Sequence, residues 1–212
     1  MRIVTARGAG ESTGPTQMLG GVVRGLDSTP LDYPAEIRPI GIRTLGESVV
    51  IGRAALRAID ALGQPWVAAG YSLGAYTLTE YAMLDRPQFL KGLVLLGNPL
   101  RPRGKCANVG VPGNRFGLAG EVPVAGVPVH DFSVPDDPIS ACPSDNGLRT
   151  IAPQVTGRRQ PIPAQWWNAG YTIEWLLKYV GPGSRHIAYN ERMPGDTRTY
   201  VQAAGDALRG ML

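Results

Sequence analysis

The stretch Pro65-Trp66-Val67-Ala68-Ala69-Gly70-Tyr71-Ser72-Leu73-Gly74 decides the fold, because an apolar strand pattern leads into it and a helix pattern leads out of it. Residues Pro65–Ala69 predict a short buried strand, and Ala75–Leu84 predict a helix. A serine at so tight a strand-to-helix turn needs a glycine on each side, so that the backbone folds back without a Cβ clash. Such a turn lifts the hydroxyl clear of the sheet, above the following N–H groups. The stretch therefore indicates a nucleophilic serine at the edge of a sheet.

The composition indicates one globular domain spanning residues 1–212. The chain is long enough for one large core but short for two domains, and 43% of its residues are hydrophobic against 18% charged. No apolar run approaches the roughly 20 residues that span a bilayer. The net charge is +4, but the basic residues are scattered and are not interleaved with aromatic residues. We therefore expect no nucleic-acid partner.

The chain opens Met1-Arg2-Ile3-Val4, which is already strand-like, without a basic segment followed by an apolar one. We expect synthesis without a secretory signal, unless one has been removed. Two cysteines are present, Cys106 and Cys142, and they lack Cys-x-x-Cys spacing. No metal site is expected from them. They could form one disulfide, which the sequence alone does not decide.

Apolar stretches along the chain alternate between strand period and helix period, which is typical of a βαβ sheet. The predicted strands are Ile3–Ala6, Ala35–Ile40, Pro65–Ala69, Leu93–Leu96 and Val127–Val134. The predicted helices are Pro15–Leu26, Ser48–Leu62 (with Ser48 as N-cap and Gly63 as its end), Ala75–Leu84, Ala164–Val180 and Thr197–Leu208. The fold class is α/β, with a central, mostly parallel sheet of about five strands flanked by helices.

A serine hydroxyl becomes a good nucleophile when a histidine takes its proton and a carboxylate orients the histidine. In α/β-hydrolases these residues follow in the order serine, acid, histidine. His186 fits this order, whereas His130 lies inside the last predicted strand and reads as a structural residue. Asp136 and Asp137 both follow that strand. Since adjacent carboxylates cannot both face one imidazole, we favour Asp137 as the acid and Asp136 as a solvated neighbour.

The oxyanion of an acyl-transfer reaction needs two N–H donors. One is the N–H of Leu73, and the loop after the first strand, Ala6–Gly14, supplies Ala9 as the most plausible second donor. A glycine-rich loop in this place also suggests a dinucleotide site, but Gly8-x-Gly10 lacks the third glycine of that motif. No cofactor is expected.

The segment Ala6-Arg7-Gly8-Ala9-Gly10-Glu11 resembles the opening of cutinases, in which an Ala-Arg-Gly-x-x-Glu loop carries an oxyanion donor. The serine turn Gly70–Ala75 is also similar to that of cutinases. Gly97-Asn98-Pro99-Leu100-Arg101 and His186-Ile187-Ala188-Tyr189 resemble the lysin B family more closely still. The chain departs from cutinases at Leu73, where glutamine is usual, at Ala9, which lacks the hydroxyl of some cutinases, and in its cysteines.

The resemblance implies a cutinase-like serine esterase. Lysin B proteins are phage esterases that cleave mycolic acids from the arabinogalactan of mycobacterial envelopes, so the implied substrate is a lipid ester, mycolyl-arabinogalactan above all. A general cutinase or lipase-type carboxylesterase is the alternative, and a catalytically silent envelope-binding virion module is the alternative of another class. The resemblance to lysin B implies a monomer that is made in the host cytoplasm and acts at the envelope after its release.

Three tryptophans, Trp166, Trp167 and Trp175, fall on the predicted helix between the acid and the histidine. One helix face, with Trp166, Ile173 and Leu177, is expected to be buried. Trp167 and Trp175 lie off that face. We expect both to be exposed and to form an apolar patch that binds long acyl chains.

Overall fold

Five parallel strands form the central sheet in a computed structural model that describes residues 1–14 and 17–212. In spatial order they are β2 (Thr29–Pro30), β1 (Arg2–Ala6), β3 (Trp66–Tyr71), β4 (Leu90–Leu96) and β6 (Val129–Phe132). A separate two-stranded sheet pairs β5 (Arg115–Phe116) antiparallel with β7 (Cys142–Pro143). The predicted α/β class with about five parallel strands is confirmed.

Helices cover both faces of the central sheet, as parallel strands require. The helices are α1 (Leu45–Asp60), α2 (Leu73–Leu84), α3 (Ala152–Thr156), α4 (Ala169–Val180) and α5 (Tyr200–Arg209), with 3-10 turns at Met18–Gly20, Gly147–Thr150 and Arg185–Asn190. Helices α1 and α2 pack on the face that carries Val4, Ala68 and Leu93. Helix α5 packs on the opposite face, against Val67 and Val94. Every residue of β3 is buried, so this strand lies at the centre of both cores.

The predicted strand Ala35–Ile40 is wrong. The second strand of the sheet is the two-residue β2, and Ala35 has a φ of +52° that no strand accommodates. Ile37 and Ile40 instead form an isolated antiparallel bridge within one turn. In the predicted helix Pro15–Leu26, Pro15 and Thr16 lie outside the described residues. From Gln17 onward only a 3-10 turn and further turns occur, although Val22 is buried as expected.

Helices α1 and α4 begin at other residues than predicted, because other residues cap them. Helix α1 begins after Thr44, whose hydroxyl accepts from the N–H of Glu47 while the Glu47 carboxylate accepts from the N–H of Thr44. This is a capping box, and it outcompetes the predicted cap Ser48. Ser48 lies inside the helix, where its buried hydroxyl donates to the carbonyl of Glu36. Helix α4 likewise begins only at Ala169, after the cap Asn168.

The carboxyl ends of β3, β4 and β6 meet at one edge of the sheet because the strands are parallel and adjacent. In open α/β sheets, ligands bind at this edge. Among the described residues, no helix is both long enough and apolar enough to cross a membrane.

Candidate active site

Ser72 lies in the turn that joins β3 to α2, with a φ of +53°. A positive φ is uncommon for a residue with a side chain, and it is held here by two backbone bonds. The Ser72 N–H donates to the carbonyl of Leu96 at 3.0 Å, and its carbonyl accepts from the N–H of Tyr76 at 2.9 Å. A Cβ on Gly74 would fall on the carbonyl of Ala6, so only glycine lets this turn pack against β1. The backbone is the strained elbow that the sequence predicts.

A chain of hydrogen bonds links the Ser72 hydroxyl to a buried carboxylate through His186. Ser72 Oγ lies 2.8 Å from His186 Nε2. On the other side of the ring, Nδ1 lies 3.0 Å from each carboxylate oxygen of Asp137. The structure therefore brings together the three side chains that the chain order singled out, from segments up to 114 residues apart.

Asp137 is fully buried and is held by donors other than the histidine. Ser140 Oγ and Tyr189 OH each donate to its Oδ2 at 2.6 Å, and the N–H of Ile139 donates to Oδ1 at 2.8 Å. Burial by itself raises the pKa of this carboxyl. The adjacent His186 and the bonds from Ser140 and Tyr189 outweigh burial, so the pKa of Asp137 lies below its ordinary value. The acid is therefore kept ionised and fixed in orientation.

Asp136 faces away from the imidazole. Its carboxylate accepts from the Arg185 guanidinium at 2.8 Å and lies 3.8 Å from the Lys178 ammonium, in a half-exposed position. His130 lies in β6 and is exposed, outside the hydrogen-bond chain. Neither Asp136 nor His130 thus takes part in the hydrogen-bond chain from Ser72.

Two residues fix the position of the His186 ring that the sequence did not predict as part of the site. The Tyr71 ring stacks on the imidazole, with 5.3 Å between centroids and 23° between planes. Its hydroxyl donates to the His186 carbonyl at 2.7 Å. Gly97 approaches the ring so closely that a Cβ there would lie 2.9 Å from His186 Cε1. The signal for Tyr71 was its place beside the serine, and the signal for Gly97 was its place at the end of β4.

The two predicted oxyanion donors line the same cleft as Ser72. Leu73 is the first residue of α2, so its N–H has no acceptor within the helix. The loop that carries Ala9 is held by Glu11, whose carboxylate accepts from the N–H groups of Gly8 at 2.7 Å and Met18 at 2.8 Å. The Arg7 guanidinium in turn donates to the carbonyls of Glu11 and Tyr33. Arg7 and Glu11 of the motif thus hold the Ala9 loop in place.

An apolar cleft of about 110 Å³ opens at Ser72. Its walls are mostly aliphatic and aromatic, and they include Ile37, Leu45, Leu118, Ile139, Val155 and Tyr179. Such a cleft suits a hydrocarbon chain better than a charged group. The described residues contain no group of three or more His, Cys, Asp or Glu side chains arranged to hold a metal ion.

The expectation that Trp175 is exposed is wrong. Trp175 is 2% exposed and packs against Cys142 and Leu148. The Arg115 guanidinium lies 4.9 Å from its ring centroid, and the Lys178 ammonium 4.7 Å. The helix therefore buries the face that was predicted to be open, because the large indole fills the space beneath it.

The opposite face of α4 is correspondingly exposed, including Ile173 and Leu177, and Trp166 before the helix is exposed as well. Trp167 is exposed as expected, but it precedes α4 and is not among the residues that line the cleft. Its part in substrate binding stays a prediction.

Both cysteines are free thiols, so the possible disulfide is absent. Cys106 Sγ lies 3.1 Å from Asn108 Oδ1, to which it donates. Cys142 is buried in β7, where it packs with Trp175.

No protein-family model and no curated protein matches the sequence. Solved structures do match. Lysin B from Mycobacteriophage D29 is 19% identical over 98% of both chains, with a TM-score of 0.63. A cutinase-like protein from Cryptococcus sp. is 20% identical over 82% of this chain and 93% of its own, with a TM-score of 0.50. An acetylxylan esterase is 18% identical over 73% and 94%, with a TM-score of 0.51. The chain has a cutinase-like α/β-hydrolase fold, as its motifs predicted.

Proposed function

We propose that this chain is a serine carboxylic-ester hydrolase. The observation that carries the proposal is the hydrogen-bond chain from Ser72 through His186 to Asp137, placed at the mouth of an apolar cleft. A nucleophile, a base and an orienting acid within hydrogen-bond reach are the requirements of serine acyl transfer. The solved esterases that share the fold support the same reaction class.

In the first half-reaction, Ser72 Oγ attacks the ester carbonyl carbon while His186 Nε2 takes the hydroxyl proton. The N–H groups of Leu73 and Ala9 donate to the oxyanion of the tetrahedral intermediate. The carbon–oxygen bond to the alcohol then breaks, and the leaving oxygen takes the proton from His186. Asp137 holds the Nδ1 proton throughout, so that Nε2 is the free base at the start.

In the second half-reaction, water attacks the acyl-serine ester and gives its proton to His186 Nε2. The intermediate collapses, Ser72 Oγ recovers that proton, and the free carboxylic acid leaves. The apolar walls of the cleft hold the acyl group through both steps.

For the substrate, we propose a lipid ester, and specifically the mycolic acid ester of arabinogalactan in the mycobacterial envelope. The lysin B-like motifs after β4 and at His186 support this choice, as does the apolar cleft. The protein would then act as a monomer at the envelope, after its release from the host cytoplasm. A general cutinase or lipase-type carboxylesterase is the second candidate, because the fold is shared with a cutinase-like protein.

A labelling experiment tests the reaction class. The wild type should react with a fluorophosphonate and hydrolyse a short p-nitrophenyl ester, whereas Ser72→Ala should do neither. His186→Ala should lower kcat by several orders of magnitude, because the residues act as a unit. His130→Ala is the matched control and should keep full turnover, since that side chain is exposed at the sheet edge. A wild type that neither labels nor turns over would identify a catalytically silent envelope-binding module instead.

A second experiment tests the substrate. Purified mycolyl-arabinogalactan is incubated with the enzyme and with Ser72→Ala, and free mycolic acid is measured by mass spectrometry. Release by the wild type alone is the expected result. Hydrolysis of cutin or triglyceride with no release from arabinogalactan would move the assignment to the general cutinase or lipase.

A further inference from the structure

Helix α4 exposes an apolar stripe on its outer side. Ile173, Leu176, Leu177 and Val180 are all exposed, and their i, i+3, i+4, i+7 spacing places them on one face of the helix. The opposite face is where Trp175 and Tyr171 pack against the body of the protein. Since the helix is already anchored by its inner face, the outer stripe is not needed for packing.

The helix that carries the stripe also forms part of the wall of the cleft at Ser72. Tyr179, on the same helix, lines that cleft, and its ring centroid lies 5.8 Å from that of His186. Val155, on the neighbouring α3, lines the cleft and is also exposed. Ile187, next to His186, is 60% exposed. Apolar side chains of α3 and α4 thus line the cleft at Ser72, and a further exposed apolar side chain follows His186 in the chain.

We propose that the α4 stripe, Ile173, Leu176, Leu177 and Val180, docks on a lipid surface and brings the cleft to the ester. The proposal rests on the proposed esterase function and adds to it where the enzyme binds the substrate phase. Exposed apolar groups on an amphipathic helix enter the boundary between headgroups and acyl chains, because that transfer removes their surface from water. A hydrocarbon chain leaving such a layer beside Tyr179 meets the cleft directly.

The dimensions of the stripe favour a lipid surface over a second copy of the chain. Residues 173 to 180 span about 10 Å along the helix axis. A stable protein–protein interface buries about 1,200–2,000 Å² in total, which four side chains on two helix turns do not supply. A lipid layer has no such minimum area, since each inserted side chain contributes separately.

Binding to vesicles of ether-linked phosphatidylcholine, which contain no ester to hydrolyse, tests the docking surface. The wild type should sediment with the vesicles, and Leu177→Lys should partition at least about tenfold less strongly, because it exchanges an inserted side chain for a charge. Leu84→Lys is the matched control. Leu84 and Leu177 are 57% and 58% exposed, but Leu84 ends α2, at the opposite end of that helix from Ser72. Leu84→Lys should bind as the wild type does.

Turnover of water-soluble p-nitrophenyl acetate separates this inference from the proposed function. All three proteins should hydrolyse it equally, and loss of turnover in the wild type would count against the esterase rather than the docking surface. Ile173→Lys repeats the binding test should Leu177→Lys show a lowered melting temperature. No vesicle binding by the wild type, or equal binding by all variants, would refute the proposal. A concentration-dependent dimer that Leu177→Lys abolishes would assign the stripe to a second copy instead.

Discussion

Asp131 should make the protein less stable as the pH rises from 4 to 7. This residue lies in β6, where its Oδ2 accepts from Asn98 Nδ2 at 2.7 Å. Its Oδ1 is buried and has no hydrogen-bond partner in the described part of the chain. Burial raises the pKa of Asp131 to about 7, against the opposing effects of Arg101 and of the Asn98 bond.

Proton linkage gives the sign and the size of the change in unfolding free energy with pH. In the unfolded chain the carboxyl titrates near its ordinary value of 3.8, so between pH 4 and 7 the folded state holds a proton that the unfolded state has released. Stability therefore falls by up to about 1.4 kcal/mol per pH unit in this window, or about 4 kcal/mol in all. Asp131→Asn is neutral at every pH and can keep the bond to Asn98. It should match the wild type at pH 4 and exceed its unfolding free energy by about 4 kcal/mol at pH 8.

Urea unfolding at half-unit steps from pH 4.5 to 8.5 measures the difference between Asp131→Asn and the wild type. The other titrating groups are common to both proteins and cancel in that difference. Asp27→Asn, at an exposed aspartate, is the control for the loss of one carboxylate at the surface. Unfolding curves for Asp131→Asn that stay parallel to those of the wild type across this range would show that the carboxyl is already ionised in the fold.

Four further outcomes are expected. Asp137→Asn should lower kcat by about 10⁴-fold while Asp136→Asn stays within a few-fold, and equal mild losses would place the acid elsewhere. Tyr189→Phe should cost about 1–3 kcal/mol of unfolding free energy and lower kcat with KM unchanged, because Asp137 loses a 2.6 Å donor; unchanged kcat would make the hydroxyl merely structural. Gly97→Ala should abolish p-nitrophenyl ester hydrolysis, since φ there is +61° and the new methyl group meets the imidazole. Trp167→Ala should lower kcat/KM for C16 esters more than for C4 esters, and equal losses would remove it from acyl binding.

The sequence predicted the central strands and the edge strand β6, and failed at the other edge of the sheet, which is β2. Strand β3 and the Leu93–Leu96 part of its neighbour β4 are continuous apolar runs, because both faces of each are covered. Strand β2 has only two residues, too few to show any periodicity. The apolar residues of Ala35–Ile40 therefore predicted the second strand in place of β2, but that segment forms a turn.

The errors in the helices have a different origin. The sequence contains the features that set the start of α1 and the buried face of α4, but other features of the same segments predicted a different cap and a different face. Thr44 and Glu47 form a capping box that is visible in the sequence, and the predicted cap Ser48 lies four residues further along, inside the helix. The apolar spacing correctly predicted the helix α4, but apolar residues lie on two of its faces. Periodicity alone does not say which face is buried, and the size of Trp175 decided it.

The candidate site was the most predictable part, because chain order and chemistry restrict it to few residues. With two histidines in the chain, the order serine, acid, histidine selects His186, and the structure places that residue beside Ser72. The supporting groups Ser140 and Tyr189 were not predicted. The tertiary fold brings these two hydroxyls to Asp137, so no local sequence pattern predicts the contacts.

The segment from residue 138 to residue 184 contains β7, α3 and α4 but contributes no strand to the five-stranded sheet. Its two ends are fixed beside the acid and the histidine, while its middle supplies the outer wall of the cleft and the α4 stripe. The chemistry and the choice of substrate are thereby carried by different parts of the chain. We expect this segment to behave as an exchangeable cassette: a graft that keeps Ser140 and both ends should change which ester is cleaved while leaving the reaction itself intact.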